Sequence, residues 1–193
     1  FGLPLLAGVP AAAYLHESWT TALAVLAMAT IIVGNVAAIL QDNVKRMLAY
    51  SSIAHAGYAL VGFIGAGMAK PGSVEQNAAI SSVAFYMLTY AVTNMGAFAI
   101  VTLLAEKNDR RTQFEDYTGI GFKSPVMSFS LSLFMLSLLG LPLTAGFMGK
   151  VFVFSSALGT ANPLITALVV VAVLGSAISA GASTRTAPAA SSM

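Results

Sequence analysis

The stretch that decides the fold is Leu138-Leu-Gly-Leu-Pro-Leu-Thr-Ala-Gly-Phe-Met-Gly-Lys-Val-Phe-Val-Phe154. It is apolar apart from one threonine and Lys150, which is the only formally charged side chain between Lys123 and Arg185. An ammonium group near the centre of a bilayer costs about 2.5–3.5 kcal/mol on insertion scales, so such residues usually face an internal cavity and mark an ion or proton path. The stretch therefore predicts a membrane helix that holds a functional cation.

The composition of the whole chain agrees with a membrane protein. Hydrophobic residues make up 58% of the 193 residues, charged residues only 8%, and the mean hydropathy is +0.84. The net charge of +2 is too small, and the lysines and arginines too confined to short turns, to indicate a nucleic-acid partner. The absence of cysteine excludes disulfides, thiolate zinc sites and iron–sulfur ligation within this chain. No phosphate-binding loop, dinucleotide fingerprint or metal-ligand spacing is present, so we expect no cofactor or metal in this chain.

The fold class that the sequence predicts is all-α, a polytopic transmembrane helix bundle with about five full membrane helices. Each apolar block has the roughly 20 residues that cross a hydrocarbon core about 30 Å thick. The blocks are Trp19–Leu40, Val44–Met68, Ala78–Leu104, Pro125–Leu158 and Pro163–Ala180.

The two ends of the chain are interpreted differently from these blocks. Phe1–Pro10 is short, carries two prolines and is interpreted as the tail of a helix that begins upstream, without the features of a signal peptide. Residues 1–180 are predicted to form one membrane domain, and residues 181–193, which are small, polar and low in complexity, a disordered tail.

The loops between the blocks predict the orientation, because lysine and arginine accumulate on the cytoplasmic side of short loops. The turn Gln41–Arg46 and the loop Glu106–Lys123 are basic, whereas Lys70 is the only lysine of the opposite side. The basic loops are therefore expected in the cytoplasm. Lys45, at a cytoplasmic helix start, is a candidate supporting residue for ion movement, although its position first makes it a topology determinant.

The fourth block is too long for one straight membrane helix. Its 34 residues would run roughly 50 Å as a helix. Pro142, Gly146 and Gly149 cluster near its middle with Gly140, where proline removes a backbone donor and glycine tolerates irregular dihedral angles. We expect this fourth helix to be discontinuous, with its freed backbone groups facing protein or a wet cavity, as in helices that build ion sites at the bilayer midplane.

Polar stripes on the second and third blocks predict a hydrated seam. Ser51, His55 and Tyr58 share one helical face, and Tyr86, Tyr90, Thr93 and Asn94 share another. Lys150 and His55 are the candidates for proton transfer, since histidine exchanges protons near neutral pH. The candidate supporting residues on these two blocks are Tyr50, Ser51, Tyr58, Tyr90 and Asn94.

Structural interpretations of the same residues stay open at this stage. His55 could only hydrogen-bond a neighbouring helix. Lys150 could extend its side chain to the interface, because the end of its helix is about 12 Å of rise away. Gly57, Gly62 and Gly65 are expected to permit close helix packing.

Four segments together resemble a known family in order and spacing. They are Gly34-Asn-Val-Ala-Ala-Ile-Leu-Gln-Asp-Asn-Val-Lys-Arg-Met-Leu-Ala-Tyr-Ser-Ser-Ile-Ala-His-Ala-Gly-Tyr58, Asn94-Met-Gly-Ala-Phe98, Glu115-Asp-Tyr-Thr-Gly119 with Ser124-Pro125, and Leu138 to Lys150. They resemble the antiporter-like subunits of respiratory complex I, and most closely subunit N of bacterial NADH-quinone oxidoreductase, which is subunit 2 in mitochondria. The resemblance covers Trp19 to Ala180.

The resemblance implies a proton-translocating subunit of the membrane arm, in which a buried axis of lysines and histidines is coupled to quinone reduction elsewhere in the complex. Lys150 matches the lysine of the family's second broken helix, and His55 the histidine of that repeat. The family subunit performs no redox chemistry itself, and flavin, iron–sulfur clusters and quinone belong to partner subunits. The implied partners are the other membrane-arm subunits, the lipid bilayer and protons, in the inner (plasma) membrane of a bacterium, with several membrane crossings.

The chain also departs from the family pattern. The intramembrane glutamate and lysine of the first repeat, and a further central lysine expected just before Phe1, have no counterpart here. The chain therefore resembles only the C-terminal portion, an incomplete second repeat followed by a tail outside the family pattern. Two alternatives stay open: a fragment of a multisubunit sodium/proton antiporter or membrane-bound hydrogenase, and a truncated helical bundle with only a structural role.

Overall fold

A computed structural model describes residues 10–105, 113–117, 119–159 and 163–185, with side chains from residue 18 to residue 177 within those ranges. The described residues form an all-α bundle, as predicted, with one short 3-10 turn at Phe114–Tyr117. The helices are α1 (Pro10–Ile39), α2 (Val44–Met68), α3 (Val74–Leu104), α4 (Ile120–Lys123), α5 (Pro125–Leu139), α6 (Ala145–Leu158) and α7 (Pro163–Arg185).

Three of the described helices are each long and apolar enough to cross a membrane alone. They are α1 from Ser18 to Ile39, α2 and α3. The helices α5 and α6 are shorter apolar helices, as is the Pro163–Ala177 part of α7. The fourth predicted block is thus two helices, α5 and α6, and its predicted discontinuity is confirmed.

The helix ends follow local capping chemistry. α2 has the predicted bounds, and the Asn43 side chain caps it by accepting a hydrogen bond from the Arg46 backbone N–H. α3 begins earlier than predicted, at Val74, because the Ser73 hydroxyl accepts from the Gln76 N–H at 3.1 Å.

α7 continues to Arg185 and thus extends past residue 180, after which the tail was predicted to begin. The physical reason lies in the small residues 181–185, among which no proline interrupts the helix before Pro188. Residues 186–193 lie outside the described residues, as do residues 1–9, where the end of an upstream helix is predicted. The domain boundary after residue 180 stays a prediction.

Small residues bring the long helices close together. A Cβ atom at Gly62 would lie 2.5 Å from a Val83 methyl carbon of α3, and one at Gly65 would lie 3.0 Å from the Ala157 Cα of α6. The first distance is shorter than real Cβ contacts and the second is tighter than most of them, so glycine at these positions permits the close approach of α2 to α3 and α6. The predicted packing role of these glycines is confirmed. The resulting core joins α1, α2, α3, α6 and α7 around Ile31, Tyr58 and Tyr86.

The turn before α2 and the loop after α3 meet at one end of the bundle. Asn43 and Gln113 form an antiparallel bridge, and the Phe114 N–H donates to the Asp42 carbonyl at 3.2 Å. This contact places the turn before α2 and residues 113–117 of the second loop at the same end of the bundle, as the orientation argument requires. The identity of that end as cytoplasmic stays a prediction. A second apolar cluster closes the bundle near this end, formed by Val44, Leu48, Ala97, Val101 and Leu138.

Candidate functional site around Lys150

The helix break lies between Leu139 and Ala145. Gly140 ends α5 in the left-handed conformation with φ 87°, and its N–H donates to the Ser137 carbonyl at 3.1 Å. The Leu141 N–H donates to the Leu136 carbonyl at 3.1 Å, which completes a Schellman end. In a continuous helix the Leu138 carbonyl would accept a hydrogen bond from the backbone N–H of the residue four positions later. That residue is Pro142, which has no N–H. The last two carbonyls of α5, those of Leu138 and Leu139, therefore accept hydrogen bonds from outside the helix.

The next helix starts with its own cap. The Thr144 hydroxyl accepts from the Phe147 N–H at 3.3 Å, and Leu143, just before it, takes a φ of 80°. A leucine in this left-handed conformation costs roughly 1–2 kcal/mol. The break is thus held from both sides by capping residues and includes one strained residue.

Gly146 and Gly149 lie within α6 rather than in the break, which corrects the expectation that they loosen the helix. The Gly146 N–H donates to the Ser137 hydroxyl at 3.2 Å, and a Cβ atom at Gly146 would collide with the Ser137 carbonyl oxygen. A Cβ atom at Gly149 would lie 3.0 Å from the Tyr86 ring. Sequence reasoning assigned these two glycines to backbone irregularity, because glycine can either adopt irregular dihedral angles or permit a close approach between helices. Their role in the fold is close approach of α6 to α5 and α3.

The Lys150 ammonium occupies the end of α5. Lys150 is only 7% exposed, and its Nζ donates to the carbonyls of Leu138 at 3.0 Å and Leu139 at 3.1 Å, and to the Ser176 hydroxyl at 3.0 Å. The three N–H donors therefore have three acceptors. A helix C-terminus carries partial negative charge, so the two carbonyls stabilise the cation electrostatically as well. The side chain points inward, which excludes the alternative that Lys150 extends to the interface.

The partners of Lys150 within the described residues are neutral dipoles and a π face, with no acidic side chain in contact. Nζ lies 5.4 Å from the centroid of the Tyr58 ring, within the range of a cation–π interaction. The Tyr58 hydroxyl accepts from Asn35 Nδ2 at 3.0 Å, which ties the ring to α1. The described part of the site thus surrounds the buried Lys150 ammonium with neutral groups.

His55 also packs against Tyr58. It is 5% exposed, its Nδ1 is 2.6 Å from the Tyr86 hydroxyl oxygen, and its ring stacks on Tyr90 with centroids 4.6 Å apart. The Tyr58 ring meets His55 edge-on at 5.5 Å. The polar stripes of α2 and α3 therefore face each other, as the sequence predicted. Because the bond to Tyr86 also joins two helices, a purely structural role for His55 stays open.

The remaining predicted supporting residues divide into two groups. Tyr58 and Tyr90 belong to the cluster, although the Tyr90 hydroxyl, near Ser52, has no well-formed hydrogen bond within the described residues. The others contribute no hydrogen bond to the cluster within the described residues: Tyr50, Ser51 and Asn94, all half-buried. Lys45 lies in the first turn of α2, about 15 Å of helix rise before His55 and close to the bridge between Asn43 and Gln113.

Three site residues were missed by sequence reasoning: Asn35 on α1, Ser137 on α5 and Ser176 on α7. Each is polar in an apolar block, which was the available signal. That signal did not indicate which face of α1 or α7 meets Lys150, because those blocks show no polar stripe. Within the described ranges, three or more His, Cys, Asp or Glu side chains do not converge on any point that could hold a metal ion.

Comparisons with known proteins extend over most of the chain. Residues 3–177 match the family model described as NADH:quinone oxidoreductase/Mrp antiporter, transmembrane. The chain is 44% identical over 161 residues to NADH-quinone oxidoreductase subunit N 2 of Sorangium cellulosum, covering 83% of this chain and 30% of that protein. It is 48% identical over 139 residues to NADH-quinone oxidoreductase subunit N of Trichlorobacter lovleyi, covering 72% of this chain and 27% of that protein.

One solved structure is also similar, respiratory complex I from Thermus thermophilus with bound aureothin. A chain of that structure aligns with a TM-score of 0.67 and 37% identity, over 83% of this chain and 33% of the other. The chain therefore spans about three tenths of the length of the relatives it matches. The resemblance inferred from the motifs is confirmed.

Proposed function

Because this chain belongs to the NADH:quinone oxidoreductase/Mrp antiporter transmembrane family, we propose that it is the C-terminal portion of a proton-translocating subunit N. Protons would pass through its buried axis of Lys150 and His55, driven by quinone reduction elsewhere in the complex. The chain then acts as part of an NADH:quinone oxidoreductase, a translocase, and carries no redox chemistry itself.

The observation that carries this proposal is the position of the Lys150 ammonium at the helix break. A cation buried without a counter-ion costs free energy, and packing alone gives no reason to keep it. The broken helix supplies carbonyls that replace water around the cation, as discontinuous helices do at ion sites in transporters. The Tyr58 ring lies close to both Lys150 and His55, so it would border the path of a proton that moves between them.

The surroundings of the site follow from the same proposal. Flavin, iron–sulfur clusters and quinone would be held by partner subunits, and no cofactor by this chain. The partners would be the other membrane-arm subunits, the surrounding lipid and the protons themselves. The location would be the inner (plasma) membrane of a bacterium, crossed several times, which agrees with the bacterial relatives named above.

The test uses the complete subunit in its assembled complex, in inverted membrane vesicles. Lys150→Ala is expected to lower the number of protons translocated per NADH oxidised by more than half, while the assembled complex remains visible on a native gel. Lys70→Ala is the matched control, because Lys70 is an exposed lysine of the loop before α3. Unchanged proton translocation in Lys150→Ala would refute the proposal.

Two alternatives have distinct outcomes in the same vesicles. The description of the family includes Mrp antiporters, so the measurement is made with and without sodium. A loss that appears only with sodium present would favour the sodium/proton antiporter. A complex that fails to assemble with Lys150→Ala, but assembles with Lys70→Ala, would assign Lys150 to packing and favour a structural role for the bundle.

A further inference from the structure

We propose that Asn35 is a positioning residue for proton transfer, which acts by holding the Tyr58 ring beside Lys150 and His55. This inference rests on the proposed function. Asn35 was not a candidate from the sequence, and it touches neither Lys150 nor His55 through a hydrogen bond.

The Asn35 amide is held in one orientation. Asn35 is 8% exposed, and its Nδ2 donates to the Ile31 carbonyl at 2.8 Å and to the Tyr58 hydroxyl at 3.0 Å. The first bond fixes the amide against its own helix, so the second hydrogen points to α2. Both Nδ2 hydrogens are therefore used, and the amide has no reason to rotate.

The other face of the amide is closed by α7. A Cβ atom at Gly175 would lie 2.8 Å from Asn35 Nδ2, so only glycine lets α7 pack directly on it. The next residue, Ser176, accepts from Lys150. A groove between α1 and α7 borders Asn35, and its other lining residues include the apolar Ile32, Val36 and Leu174. Asn35 thus joins the two elements, Tyr58 and α7, that surround the ammonium.

The Tyr58 ring needs this anchor because its other contacts are non-directional or edge-on. The ring meets His55 at 5.5 Å and Phe154 at 6.0 Å, and one face lies 5.4 Å from Lys150 Nζ. A buried hydroxyl that loses its partner carries an uncompensated desolvation penalty. Without Asn35 the ring is therefore expected to turn toward another hydrogen-bond partner, and this changes its contacts with the two proton-transfer residues.

The test is a double-mutant cycle in the assembled complex. Asn35→Leu and Tyr58→Phe each remove one partner of the same bond, and each is expected to lower proton translocation per NADH two- to tenfold. The double variant is expected to lose no more than either single variant, because both act on one contact. The pH profile of translocation is expected to shift alike in all three. Asn35→Asp is expected to recover part of the activity, because its carboxylate can accept from the Tyr58 hydroxyl, which lies 3.5 Å from Asn35 Oδ1 in the structure.

Thr30→Val is the matched control. Thr30 is half-buried on α1, the helix that carries Asn35, and its hydroxyl bonds to the Leu26 and Ala27 carbonyls of that helix, so this variant removes a polar group that anchors no ring. Additive losses in the double variant, an unshifted pH profile, or equal losses in Thr30→Val would overturn the inference. A complex that fails to assemble with Asn35→Leu, combined with normal proton translocation in Tyr58→Phe, would also overturn the inference. Full proton translocation in Lys150→Ala would refute the proposed function. Full translocation in the Asn35 and Tyr58 variants, with a loss in Lys150→Ala, would refute this inference alone.

Discussion

Gly146→Ala is the most direct perturbation of the helix break. The new Cβ would lie 2.8 Å from the Ser137 carbonyl carbon and nearer still to its oxygen. An ordinary contact begins at 3.4 Å, so α6 must move away from α5 by at least about 0.6 Å. Overpacking of this kind typically costs about 1–3 kcal/mol. The variant also loses the bond from the Gly146 N–H to the Ser137 hydroxyl, if the helices separate.

The same displacement affects Lys150, which lies one turn further along α6. Its Nζ bonds to Leu138 and Leu139 are 3.0 and 3.1 Å long, and an added 0.6 Å would stretch them beyond about 3.6 Å, where a hydrogen bond no longer exists. The lysine then recovers these acceptors only by changing its side-chain conformation. We therefore expect Gly146→Ala to lower both the stability of the assembled complex and proton translocation per NADH, the latter by more than half.

The assay compares thermal unfolding of the purified complex with translocation in vesicles, using Gly67→Ala as the control. Gly67 lies within α2 with nothing within 4 Å of a new Cβ, so alanine there is expected to be neutral or to stabilise the helix by up to about 1 kcal/mol. Wild-type stability and translocation in Gly146→Ala would refute the packing argument. Equal damage in Gly67→Ala would show that the assay responds to any glycine replacement.

Two further predictions concern the break and the third acceptor of Lys150. Pro142→Ala is expected to leave the break in place, because Gly140 and Thr144 cap the two helices independently of proline; a structure of the variant with a continuous helix from Pro125 to Leu158 would contradict this. Ser176→Ala leaves one buried ammonium N–H unpaired, which costs about 1.5–3 kcal/mol. It is expected to lower the stability of the complex, measured by thermal unfolding, and Ser176→Thr to restore it; equal stability of both variants to wild type would contradict the assignment.

Much of the fold could be predicted because the relevant signals are local. The bounds of α2 were predicted correctly, since its apolar run is preceded by a capping asparagine and followed by a short polar turn. The break was located by the length of the fourth block and by its Gly and Pro residues. The end of α7 was placed too early, because a run of small residues resembles a loop in composition while nothing in it stops a helix.

The candidate site could be predicted only in part. His55, Tyr58 and Tyr86 were placed on facing stripes because helical periodicity alone decides which residues share a face. The function of Gly146 was misassigned, because contact with Ser137 depends on the angle between α5 and α6 rather than on either segment alone.

The amino-acid sequence by itself determined a helical membrane protein, a discontinuous fourth helix and a lone buried lysine, since these depend on composition, length and backbone chemistry. The tertiary structure decided what surrounds that lysine. Two of its three acceptors are backbone carbonyls, which every residue carries, and only the folded break shows which of them lack a helix donor. The third acceptor, Ser176, and the anchor Asn35 come from helices distant in the chain, so only their packing brings them to Lys150 and Tyr58.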